Sequence, residues 1–284
     1  MSGSVAEVLA DLRTTLCAIM DPSAAAREAR LIVQHVTGWS GAALSARLRD
    51  PMLADGIVQI AALSQRRLAR QPLPQILGQW AFYDRMFRVT SDVLCPRPDT
   101  ETLIELALAA PFQSFVDLGT GSGAIAITLL AERPDARGIA SDISSAALAI
   151  AQENADQLGV ADRLMFVQSD WFTNVEGQFD LIVSNPPYVA AHDYERLAPE
   201  VTEWEPCLAL TPGGDGLSAY RILATQAPAH LMPGGRLMVE IGWDQGRQVA
   251  DIFSEAGFIA VQIHSDINNK QRVVEGRKFG PILR

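Results

Sequence analysis

The stretch FVDLGTGSGAIAI, residues 115–127, decides the fold class of this chain. It begins with a short apolar run typical of a buried strand, passes through a glycine loop and ends in an apolar helical run. Such a succession lets a ligand approach the backbone closely and meet the free N–H groups at the helix start. It therefore predicts a nucleoside-type binding site, against the alternative of a purely structural turn. The loop residues of this predicted site are Gly119, Thr120, Gly121, Ser122 and Gly123.

An acidic residue follows the next predicted strand. Asp142 lies 19 residues beyond Gly123, where a carboxylate can accept hydrogen bonds from both hydroxyls of a ribose. Ser144 already provides a cap for the following helix, which would leave Asp142 freer for a ligand. The alternative is an aspartate that serves only the helix start. The loop also satisfies Gly-x-Gly-x-x-Ala, so its spacing alone leaves a dinucleotide dehydrogenase open.

The tetrapeptide Asn185-Pro186-Pro187-Tyr188 follows an apolar run that predicts another buried strand. The side-chain oxygen of Asn185 and the main-chain carbonyl of Pro186 can accept both hydrogens of a planar NH2 group and hold its lone pair toward an electrophile. The two prolines stiffen these acceptors, and Tyr188 supplies an aromatic wall. The alternative is a simple strand-to-loop turn. The tetrapeptide thus predicts chemistry on an amide or amine nitrogen.

Two further segments are candidates for the walls of the site. Trp171, after the third strand of the α/β part, either flanks a purine ring or is buried in the core. The long loop beyond the tetrapeptide, with Glu203, Glu205 and Asp215, is expected to help form the substrate site or a lid.

The first 70 residues predict a small helical bundle, because their apolar residues recur at helical spacing. Asp21-Pro22-Ser23 predicts a helix start and Thr37-Gly38 a helix end. Gln71-Pro72-Leu73-Pro74 is expected to break the last helix and begin a linker. Three basic residues before it form either a solvated helix face or a contact for an acidic partner. These residues are Arg66, Arg67 and Arg70.

In the rest of the chain, short apolar runs alternate with helical stretches. This pattern predicts a Rossmann-like α/β domain, a mainly parallel sheet of seven strands with helices on both faces. A short hairpin, residues 80–83 and 86–90, precedes it. The predicted domains are residues 1–74 (helical, docking a partner), 75–95 (hairpin linker) and 96–284 (catalytic). The predicted strands are residues 114–118, 137–141, 164–168, 180–184, 236–241, 259–263 and 272–276.

Composition restricts the function classes. The net charge is −10, and residues 1–80 contain eight arginines and six acidic residues, so the excess of negative charge falls on the catalytic part. An acidic surface binds phosphate backbones poorly, which argues against direct contact with nucleic acid. The three cysteines are scattered, so we expect neither a disulfide framework nor a metal. With no long apolar run, a cytoplasmic location without membrane contact is the expectation.

With these motifs in this order, the chain resembles the class I S-adenosylmethionine-dependent methyltransferases that act on amide or amine nitrogen. More narrowly, it is similar to the bacterial glutamine methyltransferases of peptide-chain release factors. The resemblance extends over nearly the whole chain. Asp99, where that family usually has glutamate, and Cys95, where it usually has an aliphatic residue, depart mildly from the pattern. The supporting segments are residues 95–101, 119–123, 169–172, 184–188, 205–206, 215–217 and 272–274.

The resemblance implies methylation of the glutamine amide nitrogen in the Gly-Gly-Gln motif of class 1 release factors, with S-adenosylmethionine as donor. It also implies that the glycine loop approaches the methionine part of the donor, that Asp142 binds its ribose and that Trp171 lies near its adenine. Asn185 would also contact the donor, and Asn185 and Pro186 would accept the glutamine amide hydrogens beside Pro187 and Tyr188. The competing interpretations are an adenine or guanine amino-methyltransferase on DNA or RNA, a nicotinamide dehydrogenase and a non-catalytic binding module.

Overall fold

A computed structural model describes residues 3–280, and the chain divides into two units. The first unit contains Met1–Gly78 together with Pro199–Trp204. The second contains Gln79–Ala198 and Glu205–Arg284. A short segment from the loop beyond the tetrapeptide therefore belongs to the helical unit, which the sequence analysis did not predict.

The first unit is helical, as its apolar spacing predicts. Its first, second and fourth helices pack on one another around buried aliphatic residues such as Leu16 and Ile32. Asp21 caps the second helix by accepting hydrogen bonds from the N–H groups of Ser23 and Ala24, and Gly38, with a φ of 69°, ends it. The helices are α1 (Val5–Leu16), α2 (Pro22–Thr37), α3 (Gly41–Ala46), α4 (Ala54–Leu68) and α5 (Leu73–Leu77).

Two details of this unit differ from the sequence predictions. The prolines at 72 and 74 do not begin a linker, because they lie at the start of α5, where a missing N–H costs nothing. Both interpretations of Arg67 are wrong, since its side chain is buried and pairs with Glu28 at 2.7 Å and Glu200 at 3.4 Å. Glu200, from the returning segment, also pairs with Arg70 at 3.0 Å.

The second unit contains a hairpin and a twisted sheet. Over residues 3–280 the sheet has seven strands, in the order β5-β4-β3-β6-β7-β9-β8, and β9 runs antiparallel to the other six. The strands are β1 (Gln79–Phe82) and β2 (Arg85–Arg88) in the hairpin, and β3 (Ser114–Leu118), β4 (Arg137–Asp142), β5 (Leu164–Gln168), β6 (Phe179–Ser184), β7 (Leu231–Glu240), β8 (Ile259–Ser265) and β9 (Gln271–Arg277) in the sheet. The helices are α6 (Glu101–Leu108), α7 (Ala124–Glu132), α8 (Ser145–Gln157), α9 (Ala191–Tyr194), α10 (Pro199–Thr202, in the first unit), α11 (Cys207–Leu210), α12 (Ser218–His230) and α13 (Gly246–Glu255).

All seven predicted strands are present, and β7 starts five residues earlier than predicted. Pro233-Gly234-Gly235, which the sequence predicts as a turn before its strand, lies inside β7. Gly234 has a φ of 80°, and the register between β6 and β7 shifts here.

Alternate residues of the central strands form a core on each face of the sheet. On one face Phe115 and Leu181 pack with apolar residues of α6 and α7. On the other, Val116 and Ile182 pack with residues of α12 and α13. Strand order reverses between β3 and β6, and parallel sheets bind ligands at the carboxyl ends of strands at such a point. The glycine loop and the tetrapeptide follow these two strands. None of the helices in the described part of the chain is long and apolar enough to cross a membrane.

Candidate active site

The glycine loop is attached to the end of β4 by backbone hydrogen bonds. The N–H groups of Gly119 and Thr120 donate to the carbonyl of Ser141 at 2.8 and 2.9 Å. Gly123, at the start of α7, has a φ of 80°, and a Cβ there would lie 2.7 Å from Ile127 Cδ1. The positive φ therefore favours glycine at this position, and a Cβ would also require the Ile127 side chain to shift.

Asp117 supports the loop from below. It is fully buried at the end of β3, and its Oδ2 accepts hydrogen bonds from the Thr120 hydroxyl at 2.7 Å and the Ala126 N–H at 3.3 Å. Burial raises the pKa of this carboxyl to about 7, against the effect of those two donors. Its Oδ1 has no hydrogen-bond partner within the described residues.

Asp142, the predicted ribose ligand, lies at the wall of the same cavity as the loop. Its Oδ2 accepts the Gly121 N–H and its Oδ1 the Ser144 N–H, both at 2.9 Å. Ser144 does cap α8, through the Ala147 N–H, but this does not release Asp142 from the helix start. Each carboxylate oxygen has a second acceptor position for a ligand. Burial raises the pKa of Asp142, and the two N–H donors oppose that shift.

The tetrapeptide is held by contacts to both its backbone and its first side chain. The Tyr188 N–H donates to the Leu210 carbonyl at 3.2 Å, and Gln245 Nε2 donates to the Tyr188 carbonyl at 2.9 Å. Asn185 Nδ2 donates to the Thr100 hydroxyl at 3.3 Å. This bond engages the amide nitrogen of Asn185 and leaves Oδ1 as the group that can accept from a substrate.

A cavity of about 590 Å³ in the second unit brings most of the predicted site residues together. That volume lies within the range of roughly 300–1,000 Å³ for small-molecule sites. Gly123, Pro186 and Tyr188 are not wall residues, and Pro186 is buried while Tyr188 packs against the core. Trp171 both lines the cavity and packs against the core, so its two predicted positions are compatible. The predicted residues in the wall are Gly119, Thr120, Gly121, Ser122, Asp142, Trp171, Asn185 and Pro187.

The loop beyond the tetrapeptide also contributes to the wall, through Pro206 and Leu208. It is fixed by Glu205, whose buried carboxylate accepts from Arg97 Nη2 at 2.8 and 2.7 Å. Burial raises the pKa of Glu205, against the effect of Arg97 and the Cys95 N–H. This pairing could not be predicted from the sequence, because the two residues lie 108 positions apart.

Three other residues of the site were missed. Thr100, Glu240 and Gln245 surround the tetrapeptide from a helix start, a strand end and a loop.

The two residues that depart from the family pattern, Asp99 and Cys95, both have partners or packing within the second unit. Asp99 pairs with Arg272 at 2.8 Å, and Cys95 is buried, which raises its thiol pKa to about 12.

The residues present fit a nucleoside-containing methyl donor. The loop glycines have positive φ and no side chain, so the loop backbone can lie directly against a ligand. Asp142, in the cavity wall, supplies acceptors for ribose hydroxyls. Across residues 3–280, no group of three or more His, Cys, Asp or Glu side chains is arranged to hold a metal ion.

The family described as "Methyltransferase small domain" matches residues 98–217, and the "PrmC N-terminal domain" matches residues 7–78. The chain is 54% identical to the release factor glutamine methyltransferase of Cereibacter sphaeroides, over 89% of this chain and 91% of that protein. It is 45% identical to the protein of the same name from Neisseria gonorrhoeae, over 88% and 92%.

Solved structures support the fold. A methyltransferase from Pyrococcus furiosus superposes with a TM-score of 0.54 at 17% identity, over 78% of this chain and 98% of that one. A 16S rRNA N2 methyltransferase from T. Thermophilus, in complex with AdoMet and guanosine, superposes with a TM-score of 0.51 at 17% identity, over 70% and 49%. At this identity the likeness establishes the Rossmann-like fold alone.

Proposed function

The chain belongs to the release factor glutamine methyltransferase family, and from that premise we propose that it transfers a methyl group from S-adenosylmethionine to a glutamine side-chain amide nitrogen in class 1 translation release factors. The glutamine is that of the Gly-Gly-Gln motif. The observation that carries the proposal is that Asn185 lies in the wall of the cavity that also contains the glycine loop and Asp142. An acceptor for an NH2 group and a nucleoside site thus share one space.

The proposal assigns the donor to the glycine-loop side of the cavity. There the backbone of Gly119, Gly121 and Ser122 would lie against the donor. Asp142 would accept hydrogen bonds from the ribose hydroxyls of the donor, and Trp171 would flank its adenine. When bound, S-adenosylmethionine supplies a methyl group on a positively charged sulfur.

The proposed role of the tetrapeptide is to orient the nucleophile. A glutamine amide nitrogen shares its lone pair with the carbonyl and attacks carbon poorly. Asn185 Oδ1 and the Pro186 carbonyl would accept its two hydrogens, and the proline pair keeps these acceptors in place. Because the nitrogen becomes acidic once it is methylated, no strong base is needed beforehand, and positioning supplies most of the acceleration.

Membership of this family argues against two of the competing interpretations, a nicotinamide dehydrogenase and a non-catalytic binding module. A methyltransferase acting on nucleic-acid bases is not favoured either, since the family and the acidic catalytic part both argue against it. A cytoplasmic location follows from the proposed substrate, because release factors act on ribosomes.

The test is mass spectrometry of a class 1 release factor after incubation with this protein and isotopically labelled S-adenosylmethionine. We expect a gain of one labelled methyl group on the Gly-Gly-Gln peptide. A matched factor with alanine in place of that glutamine should gain none. Label on another peptide, or only on RNA added to the same reaction, would contradict the proposal.

A further inference from the structure

A buried carboxylate lies directly behind the tetrapeptide. Glu240 ends β7 and is 1% exposed. Strands β6 and β7 are parallel with Ser184 opposite Val239, so the following residues, Asn185 and Glu240, are neighbours where the two strands end. Tyr220 fixes this strand end by donating from its hydroxyl to the Glu240 carbonyl at 3.1 Å.

The contacts around this carboxylate have a defined direction. Asn185 Nδ2 donates to the Thr100 hydroxyl at 3.3 Å, and the side chains of Thr100 and Asn185 both lower the pKa of the Glu240 carboxyl, as donors turned toward a carboxylate do. An ionised carboxylate can only accept hydrogen bonds, so the Thr100 hydroxyl stabilises it by turning its proton toward it, which leaves the hydroxyl oxygen to accept from Asn185. The bond to Thr100 and the neighbouring carboxylate of Glu240 therefore both favour the Asn185 carboxamide with its NH2 on their side.

We propose that Glu240 is a positioning residue, which, with Thr100, fixes the Asn185 carboxamide so that its Oδ1 faces the glutamine amide of the substrate. This inference rests on the proposed function. A carboxamide rotated by half a turn would set its NH2 against the substrate NH2, donor against donor, and its oxygen against the carboxylate. The charge of Glu240 excludes that rotamer.

A structural role alone does not account for Glu240. A buried carboxylate without a directly paired cation is costly, and an apolar side chain of similar size would pack there at lower cost. The nearby cation, Arg272, is engaged by Asp99 at 2.8 Å and Asp266 at 3.3 Å. Glu240 Oε2 has no hydrogen-bond partner in the described part of the chain.

The pH dependence gives a second signature. Burial raises the pKa of Glu240 to about 7, against the lowering effect of Thr100 and Asn185. The other titratable or charged groups facing it are Asp99, Arg272, Tyr188 and Tyr220. Protonated Glu240 can donate to Asn185 Oδ1 and stabilise the wrong rotamer, so kcat should fall as pH decreases through about 7.

The experiment compares Glu240→Leu and Glu240→Gln with wild type, using Glu275→Gln as a control for replacing a buried glutamate on the neighbouring strand β9. For each protein, kcat and KM for the release factor, the Kd of S-adenosylhomocysteine and urea unfolding are measured across pH. For Glu240→Leu we expect a kcat about 100-fold lower, little change in KM or Kd, and stability equal to wild type or higher.

Glu240→Gln retains an acceptor without a titrating proton. We expect its kcat to stay within about tenfold of wild type and to lose the decline below pH about 7. The control should keep both kcat and its pH profile. An unchanged kcat in Glu240→Leu, or a loss of kcat that only parallels a loss of stability, would overturn the inference. Absence of methylation by wild type would instead refute the proposed function.

Discussion

Replacing Asp117 with asparagine tests the electrostatics of the glycine loop without reference to any substrate. The amide has the same size, and its single oxygen can accept the Thr120 hydroxyl and Ala126 N–H that Asp117 Oδ2 now accepts. Its NH2 would take the place of Oδ1, which has no hydrogen-bond partner within residues 3–280. The substitution therefore removes a titrating group from a buried position and leaves the hydrogen bonds intact.

The magnitude follows from the raised pKa of Asp117. Burial shifts this pKa from 3.8 to about 7, so across that interval the folded protein holds a proton that the unfolded chain has lost. The stability contributed by that proton is fully present below the unfolded pKa and is lost as pH rises through about 7. One pKa unit corresponds to about 1.4 kcal/mol, so the whole shift amounts to roughly 4 kcal/mol.

The assay is urea unfolding of wild type and Asp117→Asn at a series of pH values. We expect the free energy of unfolding of the variant to gain on wild type by about 1.4 kcal/mol per pH unit through this interval. Asp215→Asn is the control, because Arg221 and the Leu217 N–H hold the pKa of Asp215 at about 2. The free energy of unfolding of Asp215→Asn should therefore differ from that of wild type by a constant amount from about pH 5 to 7. A constant difference for Asp117→Asn as well would refute the reasoning.

Three further substitutions test, in turn, the orientation of the nucleophile, the binding of the donor and the packing of a loop against the tetrapeptide. Asn185→Ala should lower kcat about 100- to 1,000-fold and leave the Kd of S-adenosylhomocysteine nearly unchanged by calorimetry; unchanged turnover would remove Asn185 from the proposed mechanism. Asp142→Ala should raise that Kd about 10- to 100-fold, and an unaltered Kd would exclude its proposed ribose role. Gly216→Ala should lower both kcat and the melting temperature, since φ is 77° and a Cβ would lie 2.5 Å from the Tyr188 carbonyl; normal kinetics would show that the tetrapeptide tolerates this displacement.

The local elements of this protein could be read from its residues. The strands, the start of α2 at Asp21, its end at Gly38 and the glycine loop all depend on neighbours within a few positions. Hydrophobic periodicity and backbone preference act over that range. The same local rules failed at Pro72 and Pro74, because proline suits the first turn of a helix as well as it suits a linker.

The support of the site could not be predicted in this way. Arg67 occupies a helix position that suits solvent, yet it is buried, because Glu28 and a distant segment with Glu200 come to it. Nothing local indicates that Thr100 and Glu240 face Asn185, since the residues before α6 and at the end of β7 meet only when the sheet is assembled.

Sequence alone thus predicted which segments form the candidate site and which chemistry they suit, because side-chain type and backbone conformation are properties of short stretches. The strand order determined that the glycine loop and the tetrapeptide adjoin, by pairing β3 with β6. The tertiary structure also determined the orientation of Asn185 and the raised pKa values of Asp117 and Glu240, because burial and long-range hydrogen bonds exist only in the folded chain.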